Sequence, residues 1–71
     1  MNGQTVTVSN IEFKVGGQHV IAGKTHVVYN TMPELSLVAF VQLTKSGKPS
    51  AKTISLSYTQ IDSLAIVNGI K

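Results

Sequence analysis

From Thr5 to Ser57 the chain mostly alternates apolar and polar residues with a period of two, the signature of half-buried β-strands. Val6 and Val8 lie between Thr5, Thr7 and Ser9. Ile11, Phe13 and Val15 then alternate on the opposite parity, with Asn10, Glu12 and Lys14 around them. A one-residue shift exchanges the two faces of a strand, so the switch at Ser9-Asn10 predicts a bulge or a tight corner. Gly16-Gly17 predicts a hairpin turn. A strand is expected from about Gln18 to Ala22, broken at Gly23-Lys24, and another from Thr25 to Tyr29. The stretch Asn30 to Glu34, with Pro33 inside it, reads as a loop.

The longest predicted strand runs from Leu35 to Thr44. Leu35, Leu37, Ala39, Val41 and Leu43 share one face, and Ser36, Val38, Phe40 and Gln42 share the other. Apolar groups on both faces predict a central strand, covered at least in part on each side. Ser46-Gly47-Lys48-Pro49 turns the chain, and Thr53 to Ser57 returns as its partner. The period then changes. Ser57-x-x-Gln60 is a capping-box pattern, and Tyr58, Ile61, Leu64, Ala65 and Asn68 follow at helical spacing. Asp62 in the first turns suits the helix dipole, and Asn68-Gly69 is a C-terminal stop after about ten residues. The expected fold is a single small α+β domain over residues 1–71, a small antiparallel β-sheet of four to six strands with one short C-terminal helix.

Size changes the picture first. A chain of 71 residues buries only about 60% of its unfolded surface, so its core needs a supplement. Disulfides are excluded because there is no cysteine. No structural metal is expected from two histidines, His19 and His26, and three carboxylates. Self-association remains, with a homodimer as the first expectation. Charged residues make up 13% of the chain, about half the usual share, which points to uncharged surface covered by a partner or another copy. The Met1-Asn2-Gly3-Gln4-Thr5 start has neither the basic region nor the apolar core of a leader, and no apolar run approaches the ~18 residues that span a bilayer. A cytoplasmic protein is expected, in the host cell if the chain is viral.

Charge is the second change. The net charge is +3, and all six basic residues are lysine. Three of them, Lys45, Lys48 and Lys52, fall in the predicted turn and returning strand, within a run from Leu35 to Ile61 that contains no carboxylate. A concentrated positive patch on a small β framework is what a polyanion binder requires. Lysine offers point charges and not the bidentate fork of arginine, so recognition would have little sequence preference. Lys24 and Lys14 are possible extensions of the patch. Phe40, Tyr29 and Tyr58 are the candidates for stacking on unpaired bases.

Catalysis is not expected. Glu12, Glu34 and Asp62 lie in different elements, and no serine or threonine sits in a nucleophile-elbow pattern. Gly16-Gly17 lacks the spacing of a phosphate-cradling loop. His19 and His26 would approach each other in adjacent antiparallel strands, but two histidines do not make a metal site. No cofactor is expected.

Lys48-Pro49-Ser50-Ala51-Lys52-Thr53-Ile54-Ser55-Leu56-Ser57, followed by Gln60 and Leu64, resembles the stretch that precedes and opens the helix in the positive-cofactor-four transcriptional coactivators. The resemblance covers about residues 48–64. It implies a curved four-stranded antiparallel sheet followed by a helix, a homodimer, and single-stranded DNA bound across the sheet. It also implies that Lys48 and Lys52 lie on a DNA-facing hairpin and that Gln60 opens the helix. The expected function is therefore single-stranded nucleic-acid binding, to DNA or RNA, through Lys45, Lys48, Lys52 and Lys24. The alternatives are a small protein-interaction or inhibitor module, virus-encoded or a virion component, working through an apolar low-charge surface, and a site for a small anionic ligand lined by histidines and lysines.

Overall fold

The computed structural model describes residues 4–71; Met1-Asn2-Gly3, the first part of the segment read for a leader, lies outside the described residues. Strand β1 (Val6–Val8) pairs antiparallel with β2 (Ile11–Phe13), Val8 opposite Ile11 and Val6 opposite Phe13. The pairing leaves a two-residue loop, Ser9 at φ 53° and Asn10 at φ 65°. Two left-handed residues match the right-handed twist of the flanking strands. The parity switch in the sequence is thus a tight corner, and it sets Val6, Val8, Ile11 and Phe13 on one face.

Gly16-Gly17 turns the chain but makes no hairpin, because β2 and the next strand belong to different sheets. The Gly17 amide donates to the Lys14 carbonyl at 2.9 Å. Gly16 donates to Val28 and Val28 donates to Gly17, at 2.8 and 2.9 Å, so the glycine backbone docks along a strand further on. Strand β3 (Gln18–Ile21) then pairs with β4 (Lys24–Met32) through a second tight turn, Ala22 at φ 53° and Gly23 at φ 81°.

Strand β4 runs through Asn30, Thr31 and Met32, where the sequence reads as a loop. Those residues pair with Ala39, Val38 and Leu37 after a bulge at Tyr29, and long-range backbone pairing overrides the local turn signals. Pro33 ends the strand in one 3₁₀ turn, Pro33–Leu35, closed by Ser36 at φ 55°. Strand β5 (Leu37–Leu43) and strand β6 (Pro49–Ser57) complete a four-stranded antiparallel sheet of order β3-β4-β5-β6.

Helix α1 (Tyr58–Ile66) opens with the full capping box: Gln60 N donates to Ser57 Oγ at 3.1 Å, and Ser57 N donates to Gln60 Oε1 at 2.8 Å. It stops after Ile66 with Val67 as C-cap, and beyond it Asn68, φ 57°, makes the left-handed turn in which the Gly69 amide donates to the Leu64 carbonyl at 2.7 Å. The last residues return to the sheet. Val20 and Lys71 exchange backbone bonds of 3.3 and 3.0 Å, and Ala22 donates to Gly69, so the tail seals the outer edge of β3.

The α+β class expected from the sequence is what forms, and the core lies on one face of the four-stranded sheet. Phe13, Ile21, Val28, Val38, Phe40, Ile61 and Ile70 are buried there under α1 and the β1–β2 hairpin. Phe13 meets Phe40 edge-on, ring centroids 5.8 Å apart at 82°. The Cα envelope is 31 × 30 × 16 Å, which holds two layers and not three. Among the described residues a second layer therefore packs on one side of strand β5 only, although Ala39 on the other side is buried among its neighbours. The covered side is the one bearing Val38 and Phe40, although Leu37, Ala39, Val41 and Leu43 on the other are more numerous. Among the described residues no helix is long and apolar enough to cross a membrane.

Two substitutions test this account by urea denaturation. Phe40→Ala should cost about 3–5 kcal/mol, comparable to the whole stability of a domain this small, and leave the chain largely unfolded. Ala22→Gly should instead stabilise by up to about 1 kcal/mol, because it relieves a left-handed alanine in the β3–β4 turn.

Candidate nucleic-acid interface

The antiparallel register places the β3–β4 turn and the β5–β6 loop at the same end of the sheet, with His26 opposite Gln42 just below them. Between them is an open cleft of about 530 Å³ lined by Lys24 and Lys45 together with Gly23, Thr25, Gln42, Leu43 and Thr44. The β5–β6 loop is held by its own polar groups. Thr44 N donates to the Lys48 carbonyl at 2.7 Å, and Gly47 N donates to the Thr44 carbonyl at 2.9 Å. The Thr44 hydroxyl accepts from Lys48 N at 3.2 Å and pairs with Ser46 Oγ at 3.0 Å. Gly47, at φ 83°, supplies the left-handed corner.

Lys24, Lys45 and Lys48 are thereby gathered at one end of the molecule, all exposed. Lys52 sits a few residues further along β6, the last residue of a register shift between the pairs Leu43–Pro49 and Val41–Thr53 that Ser50 ties down. Ser50 Oγ donates to the Gln42 carbonyl at 2.7 Å and accepts from Lys52 N at 3.1 Å. Lys14 is not part of the cluster: it precedes the glycine turn, at the far end of β3. No carboxylate lines the cleft. Glu34 is in the 3₁₀ turn at the opposite end of the sheet, and Asp62 accepts a 2.6 Å bond from Ser9 Oγ.

The aromatic candidates separate sharply. Phe40 is 0% exposed and offers no surface to a base, which corrects its assignment as a stacking residue. Its face of β5 is the inner one. Tyr58, the first residue of α1, is half-buried against the core, so packing takes up much of its ring. Tyr29 is 50% exposed. It is the extra residue of the β4 bulge, roughly 16 Å along the strand from Lys24.

His19 and His26 are directly opposite each other in the β3–β4 pair. His26 is buried, and its Nδ1 lies 2.8 Å from the Lys24 carbonyl; His19 Nδ1 lies 3.0 Å from the Lys71 carbonyl. A carbonyl only accepts, so each Nδ1 carries the proton. Both rings flank Phe40 at 6.4 Å, and His19 also packs on Phe13 at 4.6 Å. Their place in the fold is structural: one ties down the base of the lysine-bearing turn, the other the tail. Among the described residues no group of three or more His, Asp or Glu is placed to hold a metal.

Two features were not identified from the sequence. The second face of the sheet carries Val20, Val27, Val41 and Leu43, around an Ala39 buried among its neighbours, with no charged neighbour across the pairs, and among the described residues no second layer lies on it. Among the described residues the outer edge of β6 has no strand beside it. The alternation of β5 signals the first, but it reads equally well as core.

His26→Ala should lower stability by about 2 kcal/mol, through lost packing and an orphaned Lys24 carbonyl, and, by loosening the backbone that carries Lys24, should weaken affinity for an oligonucleotide by less than loss of a lysine does where the variant is folded. Thermal unfolding and fluorescence anisotropy on the same samples check both halves. Comparison of the chain with protein-family models, with curated proteins and with solved structures finds no match.

Proposed function

We propose that this protein binds single-stranded nucleic acid through backbone charge, with little sequence preference, and that it does so as a homo-oligomer. The observation that carries the reading is the convergence of Lys24 and Lys45, from two separate turns, on a cleft at one end of the sheet that no carboxylate lines, with Lys48 in the same loop as Lys45. Residues distant in sequence and alike in charge repel, and a fold that gathers them leaves a site for a polyanion. Lys52 extends the patch along β6. Thr25, Gln42 and Thr44 add neutral groups that hydrogen-bond phosphate or sugar oxygens. Tyr29 supplies one exposed ring for stacking. The resemblance of residues 48–64 to the positive-cofactor-four family points the same way, and it favours a single strand over a duplex. Absence of arginine restricts the contacts to point charges.

A protein-interaction module is the second reading. It is favoured by the uncovered, uncharged sheet face, which suits an apolar partner better than a phosphate backbone.

Fluorescence anisotropy with a labelled oligonucleotide separates the two. Three or four phosphate contacts predict that affinity falls roughly 20- to 50-fold between about 50 and 200 mM salt. The triple variant Lys45→Glu, Lys48→Glu, Lys52→Glu should abolish binding with the fold intact by circular dichroism. No binding by the wild-type chain at low salt would end the nucleic-acid reading.

A further inference from the structure

The two edges of the four-stranded sheet are treated differently. On β3 the tail occupies the outer backbone groups of Val20 and Ala22. On β6 none of the described residues does, and residues 51–55 are exposed without a break. Outward backbone donors and acceptors on an edge strand are a template for another strand.

The register identifies which groups face outward. Tyr58 N donates to the Ser36 carbonyl at 3.0 Å, one step beyond the pair Leu37 with Ser57. Antiparallel alternation then turns the backbone of Leu56 and Ile54 toward β5, and that of Ser57, Ser55 and Thr53 away from it. The capping box already takes the Ser57 amide. Devices that discourage edge pairing are confined to the other half of β6, where Pro49, Lys52 and the register shift lie. The segment Thr53-Ile54-Ser55 has none. Ile54 at its centre leaves an isoleucine side chain 37% exposed.

We propose that a second copy of this chain pairs antiparallel along β6, about a two-fold axis at Ile54. The segment is complementary to itself in that register. Thr53 of each copy meets Ser55 of the other, each pair exchanging both backbone bonds, and the two Ile54 side chains face each other at the closer, non-hydrogen-bonded position. Charge permits it. Lys52 falls opposite Leu56 of the second copy, and the two Lys52 positions are offset by about 13 Å along the strands, beyond the ~8 Å screening length at physiological salt. The product is an eight-stranded sheet in which the uncharged second faces of both copies lie side by side. The pairing rests on the proposed self-association and not on nucleic-acid binding, so it is tested without oligonucleotide.

Sedimentation equilibrium of the full chain at micromolar concentration should give the mass of two chains, and Ser55→Pro, which removes an outward amide, should give one. The chain has no cysteine, so Ile54→Cys is a clean probe. Directly opposed Cα atoms about 4.5 Å apart fall within disulfide range, and mild oxidation should crosslink it at least roughly ten times faster than Val67→Cys, an exposed site on the helix end. Should Ser55→Pro not fold, the crosslinking rates decide. A monomeric wild-type chain overturns self-association itself. A dimer that survives in folded Ser55→Pro, or Ile54→Cys that crosslinks no faster than the control, overturns the edge pairing and leaves the salt-dependent binding test untouched.

Discussion

The packing of Phe40 is the contact on which the rest of the structure depends. Its ring sits at the centre of β5, edge-on to Phe13 from the small hairpin and flanked by both histidines. The Phe13 contact joins elements that share no backbone pairing: β2 belongs to the two-stranded sheet, while β5 belongs to the larger one. With a core of only a few large side chains, the attachment of the second layer to the first comes down to this cluster and Ile61 from the helix. Burying the Phe40 face also determines which face of the sheet stays open, and with it which surfaces are available to a ligand or another copy.

The positive end of the molecule follows from the pairing that this core stabilises. Lys24 and Lys45 are twenty-one positions apart and become neighbours because β4 and β5 are antiparallel, with a tight turn before one and a loop after the other. His26 connects the two levels, since its ring lies in the core while its Nδ1 proton holds the carbonyl of Lys24. Hydrogen bonds hold the backbone that carries the charge, Thr44 to Lys48 in one turn and His26 to Lys24 in the other.

Much of the architecture was legible in the chain. The period-two alternation marks the strands, the parity switch at Ser9-Asn10 marks a corner, and Ser57 with Gln60 marks the helix start to the residue. Two readings failed for the same reason. Asn30 to Met32 reads as loop by composition, yet it is strand because Ala39, Val38 and Leu37 lie across from it. Gly16-Gly17 reads as a hairpin, yet its glycines dock on Val28 from another part of the sheet. Local propensity is a weak term beside a row of cross-strand bonds supplied from far away in the sequence.

The sequence by itself determined the class of fold, the helix cap, the lysine-only charge and the low charge density, all of which depend on residue type or spacing within a few positions. Which face of β5 turns inward was decided only in three dimensions. Counted along one strand, Leu37, Ala39, Val41 and Leu43 outweigh Val38 and Phe40. Summed across the sheet the balance reverses, because β6 sets Ser55 and Thr53 beside Ala39 and Val41, but sets Leu56 and Ile54 beside Val38 and Phe40. Burial acts on the whole face presented to a covering layer and not on any single strand, so the register of neighbours chooses the core. The same register decided which lysines meet and which edge of the sheet was left open.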